Sequence, residues 1–189
     1  MKTDNIFRDL KQDLQSINEK ANERLLKEEQ VRSSIFNSLR NQGFIVAAER
    51  NFNKTSEIEC DLVFWKDSLP ESWMEIKTAR YSNCKGDLRR LDKNGNDTWS
   101  NNQREQLKSW KKDIDKLKKI EDKESPRYFV LVEQCYNDSL FEKLYKNNTY
   151  DIRNYFENIK YDEIEFDLKW NKAPVDKCIV RIFYFKNYS

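Results

Sequence analysis

Apolar residues recur every three or four positions through residues 6–39, which is the spacing of one face of an amphipathic helix. This stripe consists of Ile6, Leu10, Leu14, Ile17, Ala21 and Leu25, followed by Val31, Ile35 and Leu39. Gly43 comes next and is a suitable helix stop. The pattern fits either two helices or one long bent helix, because neither proline nor glycine interrupts residues 2–42.

Beyond Gly43 the period changes to that of strands. Residues 57–65 alternate, so we expect one face to carry Ile58, Cys60, Leu62 and Phe64, and the other to carry Glu57, Glu59, Asp61 and Val63. Further strands are predicted at 44–47, 73–78, 128–132 and 178–185, with helices at 107–117 and within 138–160, while 161–170 is ambiguous. This order of elements predicts an α/β or α+β sandwich.

The length of 189 residues suits one domain over 1–189, and 38% hydrophobic residues are enough for a core. Three scattered glycines cannot form a glycine-rich phosphate loop or dinucleotide turn. The chain has no histidine, which excludes Ser-His-Asp, Cys-His and HExxH chemistry. Any catalysis must therefore use carboxylates, lysine, tyrosine, serine, cysteine or a metal held by oxygen.

The cysteines and the absence of an apolar segment bear on location. The four cysteines are spread along the chain without a CxxC pair, as in proteins of a reducing compartment. The N-terminus is polar and no apolar run is long enough to span a bilayer. We therefore expect a cytoplasmic protein that does not bind membranes.

Asp61 and the triplet Glu75-Ile76-Lys77 are the candidate catalytic residues. Glu75 and Lys77 share a face if residues 73–78 form a strand, and Asp61 would meet Glu75 from a neighbouring strand. Two such carboxylates, with the backbone carbonyl of Ile76, suit Mg²⁺, and we expect Mn²⁺ to substitute. Lys77 could then position the attacking water and offset charge on the phosphate oxygens.

The Asp/Glu-x-Lys triplet alone is weak evidence in so charged a chain. It recurs at Asp9, Glu121 and Asp167. The first two fall in predicted helical, solvated stretches, whereas Asp167-Leu168-Lys169 competes with Glu75 because it could lie in a strand. The upstream Asp61 in an apolar frame favours Glu75.

Together these residues resemble the PD-(D/E)XK nuclease superfamily over roughly residues 28–134, with Cys60 in place of the motif proline. The resemblance implies a restriction-endonuclease-like mixed sheet flanked by helices, preceded here by a helical extension (1–27) and followed by a C-terminal helix and strand (135–189). It also implies a metal-supporting Glu on the first helix of the nuclease-like region. Glu28 and Glu29 are the candidates, and we choose Glu29.

A surplus of Lys and Arg over residues 77–120 suggests a polyanion-binding surface, although a solubilising face is the alternative. The predicted nucleic-acid contacts are Arg80, Lys85, Arg89, Arg90, Gln103, Lys108 and Lys112, and Lys119 extends this track. RecB-like members of the superfamily carry a Gln on the helix that follows the lysine strand, with an aromatic residue four positions later. Gln106 and Trp110 meet that spacing, and Gln103 does not.

The function expected from these features is a Mg²⁺-dependent DNA endonuclease, in a restriction or other defence role. A structure-specific or exonucleolytic repair nuclease is the first alternative, and a catalytically silent nucleic-acid-binding module is the second. RNA remains open as a substrate. The N-terminal stripe either packs on the chain's own sheet or pairs with a second copy to form a homodimer.

Overall fold

The apolar patterns become helices and strands in a computed structural model, which describes residues 1–21, 27–51, 59–67, 69–82, 99–120, 122, 124–136, 139–168 and 177–185. The helices are α1 (Thr3–Ala21), α2 (Glu28–Asn41), α3 (Trp99–Lys118), α4 (Leu140–Lys146) and α5 (Ile152–Phe156). The strands are β1 (Ile45–Asn51), β2 (Glu59–Trp65), β3 (Ser72–Ser82), β4 (Arg127–Tyr136), β5 (Lys160–Asp167) and β6 (Lys177–Phe185).

One mixed sheet of six strands, in the order β1-β2-β3-β4-β6-β5, joins the described strands. The β3–β4 pair is parallel and each other neighbouring pair is antiparallel. A parallel pair needs a crossover, and α3 lies in the connection from β3 to β4. The predicted α/β class is therefore confirmed: a mixed sheet lies between helices on both faces.

Each face of the sheet has its own apolar core. On one face α1 and α2 pack against β-strand residues such as Leu62, Met74 and Val130. On the other face α3, α4 and α5 pack against residues such as Phe129 and Phe183. Burial of these two apolar surfaces is the main force that holds the helices on the sheet.

The N-terminal stripe packs on the chain's own sheet. Ile6, Leu10 and Leu14 are fully buried, and Ile17 is partly buried against the same core. Ile6, Leu10 and Leu14 therefore face the chain's own core rather than a second copy, and the side chain of Ala21 lies outside the described residues. Leu25 lies outside the described residues.

Two ambiguities of the sequence are decided by the backbone. Lys27 is extended, with φ −93° and ψ 155°, so a separate second helix begins at Glu28. The ambiguous segment 161–170 contains β5, which pairs only with β6 at the edge of the sheet. An edge strand needs little apolar surface, and most side chains of β5 are exposed, which is why its sequence pattern was weak.

The predicted alternation along β2 is wrong at Cys60. Leu62 and Phe64 face α1 and α2, but Cys60 packs with Val63 in the core beneath α3. The period of two breaks at Asp61, because its side chain turns toward β3. This break defines the candidate site.

None of the helices in the described part of the chain is long and apolar enough to cross a membrane.

Candidate active site

The strands β2 and β3 separate at the position of Asp61 and form a fork. Their paired residues are Leu62 to Phe64 on β2 and Ser72 to Met74 on β3. Beyond Met74, two carboxylates take the place of β2 backbone acceptors. Asp61 Oδ2 accepts the Ile76 N–H at 2.7 Å, and Glu28 Oε2 accepts the Thr78 N–H at 3.4 Å. Acidic side chains thus accept hydrogen bonds from the β3 backbone N–H groups that β2 no longer pairs with beyond the fork.

Glu75 and Lys77 project from β3 toward α3, as their i, i+2 spacing predicts. The Lys77 ammonium lies 3.2 Å from Glu28 Oε1 and 3.3 Å from Asp113 Oδ2. Burial lowers the pKa of Lys77, but Asp113 and Glu28 outweigh that effect and leave the pKa above its usual value. Lys77 is therefore a fixed cation in the fork.

Glu75 is the most deeply buried acid of the fork, with 1% of its surface exposed. Burial and repulsion from Asp61 raise the pKa of Glu75 to about 8, although Lys116, 2.6 Å from Oε1, opposes the rise. Burial and the neighbouring Glu75 also raise the pKa of the Cys60 thiol, which keeps it protonated. A strongly perturbed carboxyl beside a second acid is typical of functional sites.

Helix α3 supplies two site residues that the sequence analysis missed, Asp113 and Lys116. They border the apolar stripe formed by Trp110, Ile114 and Leu117, so packing of that stripe holds them close to the sheet. Lys116 Nζ lies 3.6 Å from Asp113 Oδ1 and donates to the Glu59 carbonyl at 2.6 Å. The signal was present: charged residues directly beside a buried stripe cannot all reach bulk solvent.

Arg32 is a third residue missed from the sequence. It lies on α2 one turn after Glu28, and its guanidinium is 2.7 Å from Glu49 and 3.7 Å from Asp61. Glu49 has a φ of 52°, which is uncommon outside glycine, and the β1–β2 register skips the Glu49–Asp61 pair. The sheet is thus distorted on both sides of Asp61.

An open cleft of about 450 Å³ lies over the fork. Its acidic residues include Asp61, Glu75 and Asp113, close to the sheet, and α3 contributes Lys112, Lys116 and Lys119. Lys112 and Lys119 are exposed. The cleft therefore carries both signs of charge, with Asp61, Glu75 and Lys77 on the strands of its floor and three lysines along α3, and these lysines could attract a polyanion.

The structure brings Asp61, Glu75 and Lys77 together as expected. The Ile76 carbonyl points into the fork as well, because N–H and C=O of one strand residue face the same edge and the N–H bonds Asp61. The competing Asp167 ends β5 at the opposite edge of the sheet. Lys169 lies outside the described residues.

Of the two candidate acids on α2, the structure brings Glu28 and not Glu29 to Lys77. Glu29 is exposed, and the first turn of α2 points it away from the fork. Both acids suit the N-terminus of a helix, where the backbone N–H groups are free. The choice of Glu29 is corrected on geometry, because successive helix positions differ by about 100° in direction.

The predicted nucleic-acid contacts are only partly described. Lys112 lines the cleft, whereas Lys108 pairs with Glu105 at 2.7 Å on the surface of α3. Gln103 is half-buried on the same helix. Arg80 belongs to β3 but its side chain lies outside the described part, as do residues Lys85, Arg89 and Arg90.

The fork offers oxygen donors, which are the kind of ligand that Mg²⁺ prefers. Within the described ranges, no group of three or more His, Cys, Asp or Glu side chains is arranged around one metal position. Mg²⁺ is commonly held by one or two carboxylates and retains waters or substrate phosphates as its other ligands. Asp61, Glu75 and the Ile76 carbonyl meet that requirement.

Comparisons of the chain with protein-family models, with curated proteins and with solved structures found no match.

Proposed function

We propose that the chain is a Mg²⁺-dependent DNA endonuclease with the restriction-endonuclease-like fold of the PD-(D/E)XK superfamily. The observation that carries the proposal is the convergence of Asp61, Glu75 and Lys77 at the strand fork, on the floor of an open cleft. The raised pKa of Glu75 supports a cation-binding role, since a nearby divalent cation would favour its ionised form.

Asp61 and Glu75, with the Ile76 carbonyl, would hold the cation. When bound there, the cation would supply Lewis-acid polarisation of a phosphodiester and would favour ionisation of the attacking water. Mn²⁺, which shares the preference for oxygen ligands, is expected to substitute.

Lys77 is the side chain that would contact the attacking water and the phosphate oxygens. Its ammonium would orient the attacking water and stabilise negative charge that develops on the phosphate oxygens. Glu28 and Asp113 are positioning residues, because their ion pairs with Lys77 fix the ammonium in the fork.

The basic side of the cleft would receive the sugar-phosphate backbone. Lys112 and Lys119 line it from α3. Arg80, Lys85, Arg89 and Arg90 follow the catalytic strand in sequence and are proposed to extend this surface. Its electrostatic character predicts DNA binding that weakens steeply as salt rises.

A restriction or other defence role in the cytoplasm remains part of the proposal. Such a role requires discrete cleavage products from double-stranded DNA. Cutting both strands at one place usually needs two active sites, so a homodimer assembled on DNA is included, through a surface other than the buried stripe of α1.

The test incubates the purified protein with plasmid, linear duplex, single-stranded DNA and RNA, in Mg²⁺, Mn²⁺ or EDTA. We expect discrete duplex fragments that depend on the cation. Lys77→Met and Asp61→Asn should each slow cleavage by at least about 100-fold. Asp167→Ala is the matched control, since it alters the competing triplet at the opposite sheet edge, and it should cleave as the wild type does.

The other outcomes separate the alternatives. A ladder that shortens from DNA ends would indicate an exonucleolytic repair enzyme. Binding without cleavage in either metal would identify a silent module and overturn the proposal. Loss of activity in Asp167→Ala but not in Lys77→Met would move the active site to the other triplet.

A further inference from the structure

Lys116 holds a position among the acidic groups of the fork that the proposed mechanism does not use. Its ammonium is 2.6 Å from Glu75 Oε1, 2.6 Å from the Glu59 carbonyl and 3.6 Å from Asp113 Oδ1. An ammonium has three N–H donors, so three surrounding oxygens suit it. Lys77 differs, because its ion pairs are with Glu28 and Asp113 and not with Glu75.

A divalent cation bound to Glu75 and the ammonium of Lys116 would both contact the same carboxylate. Two cations at one buried carboxylate repel each other strongly, since little water lies between them. If the cation replaces a proton on Glu75, the site gains one positive charge, and if Glu75 is already ionised it gains two. In both cases Lys116 opposes metal binding.

We propose that Lys116 is an internal counter-ion that occupies the cation position of Glu75 in the metal-free protein and that metal binding displaces it. The inference rests on the proposed function, because it assigns the metal to Glu75. Lys116 thereby weakens metal affinity, and it stabilises an otherwise uncompensated buried acid until the metal arrives.

The displaced ammonium stays on the basic side of the cleft. Lys112 and Lys119 lie one helical turn before and after Lys116 on α3, and all three line the cleft. The lysine side chain has a flexible four-carbon stem, so its charge can move by several ångströms while the helix stays in place. Released from Glu75, Lys116 becomes a phosphate contact beside the metal.

The experiment measures binding of Mg²⁺ alone, without DNA, to the full chain by titration calorimetry. Lys116→Met should bind Mg²⁺ about tenfold more tightly than the wild type, because a cation next to the metal has been removed. Lys112→Met is the matched control. It removes the same charge one turn away on an exposed position, and screening should limit its effect to about twofold.

A second readout does not depend on calorimetry or on activity. Without metal, Lys116→Met should unfold at a lower temperature than the wild type, because the contacts of the ammonium with Glu75 Oε1 and the Glu59 carbonyl are lost. Mg²⁺ should then raise the unfolding temperature of the variant more than that of the wild type. If Lys116→Met does not fold, Lys116→Gln gives the same comparison, since its amide can still donate to Glu75.

The outcomes distinguish the two proposals. Mg²⁺ binding that is lost in Asp61→Asn, but is equal or weaker in Lys116→Met, would overturn the counter-ion role and leave the metal centre standing. No Mg²⁺ binding by the wild type, or binding unchanged in Asp61→Asn, would overturn the metal centre and the counter-ion role together.

Discussion

Two clusters of charged side chains lie on the same face of the sheet, and they differ in how their buried charges are paired. The fork cluster, defined by Asp61, Glu75, Lys77, Asp113 and Lys116, opens into the cleft. The Arg181 cluster lies on the neighbouring strands β4 and β6 and comprises Arg181, Glu133, Ser139, Glu142 and Glu163. Both contain buried charge, and the fork cluster lines the cleft.

The Arg181 cluster is held by ion pairs and hydrogen bonds among its own members. The guanidinium pairs with Glu133, with Glu142 at 2.8 Å and with Glu163 at 2.5 Å, and it also lies over the Phe141 ring. Glu133 in turn accepts from the Ser139 hydroxyl and the Phe141 N–H at the start of α4. This cluster therefore fastens the first turn of α4 to the sheet.

The fork cluster has too few donors at the point where its acids meet. Burial and repulsion from Asp61 raise the pKa of Glu75 to about 8. Burial lowers the pKa of Arg181, but its three neighbouring acids outweigh burial and hold that pKa above its usual value. A buried cation with an acid on each side of it, as Arg181 has in Glu133, Glu142 and Glu163, stabilises one conformation. Buried charge with an incomplete set of partners, next to a cleft, is stabilised further by a ligand that brings the missing charge.

The largest expected effect contrasts one substitution in each cluster. Arg181→Met should lower the free energy of unfolding by about 3–5 kcal/mol, because it leaves Glu133 buried without a cation. Asp61→Asn should leave that free energy unchanged or raise it, because the amide oxygen can still accept the Ile76 N–H and repulsion with Glu75 disappears. Urea unfolding in EDTA measures both values.

The control for this contrast is the double variant Glu133→Gln/Arg181→Met. Removing both members of the pair should restore much of the lost stability, because no lone buried charge remains. A loss below about 1 kcal/mol in Arg181→Met would show that this cluster is not structural. The Arg181 cluster and the fork would then not differ in their contribution to the free energy of unfolding.

The second prediction uses the pH dependence of the fork. The carboxyl of Glu75 ionises at its ordinary pKa of 4.5 in the unfolded chain but at a pKa of about 8 in the folded protein. Between these pH values the folded state binds the extra proton, so the stability of the metal-free protein falls as pH rises. Glu75→Gln keeps the shape without the titration and should not show this fall.

We expect Glu75→Gln to match the wild type near pH 5 and to exceed its stability by about 2–4 kcal/mol at pH 9. Unfolding curves at several pH values in EDTA measure the difference. Parallel stability profiles for the two proteins would contradict the raised pKa. Adding Mg²⁺ at pH 9 should close the gap, because only the wild type gains a carboxylate ligand.

The smallest expected effect tests which acids belong to the fork. Glu28→Gln should lower kcat by about tenfold with little change in KM, because it removes one of the two acids that fix Lys77. Glu29→Gln is the matched control one position along the helix and should change kcat by less than about twofold. A larger loss in Glu29→Gln would restore the choice made from sequence.

The regular elements were largely readable from the sequence because each buries one apolar face. The stripe of α1 has the period of a helix buried on one side, and the continuous apolar run of β4 fits a strand buried on both faces. β5 was ambiguous because an edge strand with exposed side chains leaves no apolar pattern. The short helix α5, which follows a 3₁₀ turn at Thr149–Asp151, depends on tertiary packing of Ile152 and Phe156.

From the sequence alone, the lack of histidine excludes imidazole chemistry, Asp61, Glu75 and Lys77 follow as candidates, and the i, i+2 spacing puts the last two on one face. Only the tertiary structure decided that β2 leaves β3 at Asp61, that Cys60 changes face there, and that Lys116 reaches Glu75. Periodicity describes one element at a time. Which charges meet depends on how a helix is rotated on a sheet, and that rotation is set by packing contacts between residues distant in sequence.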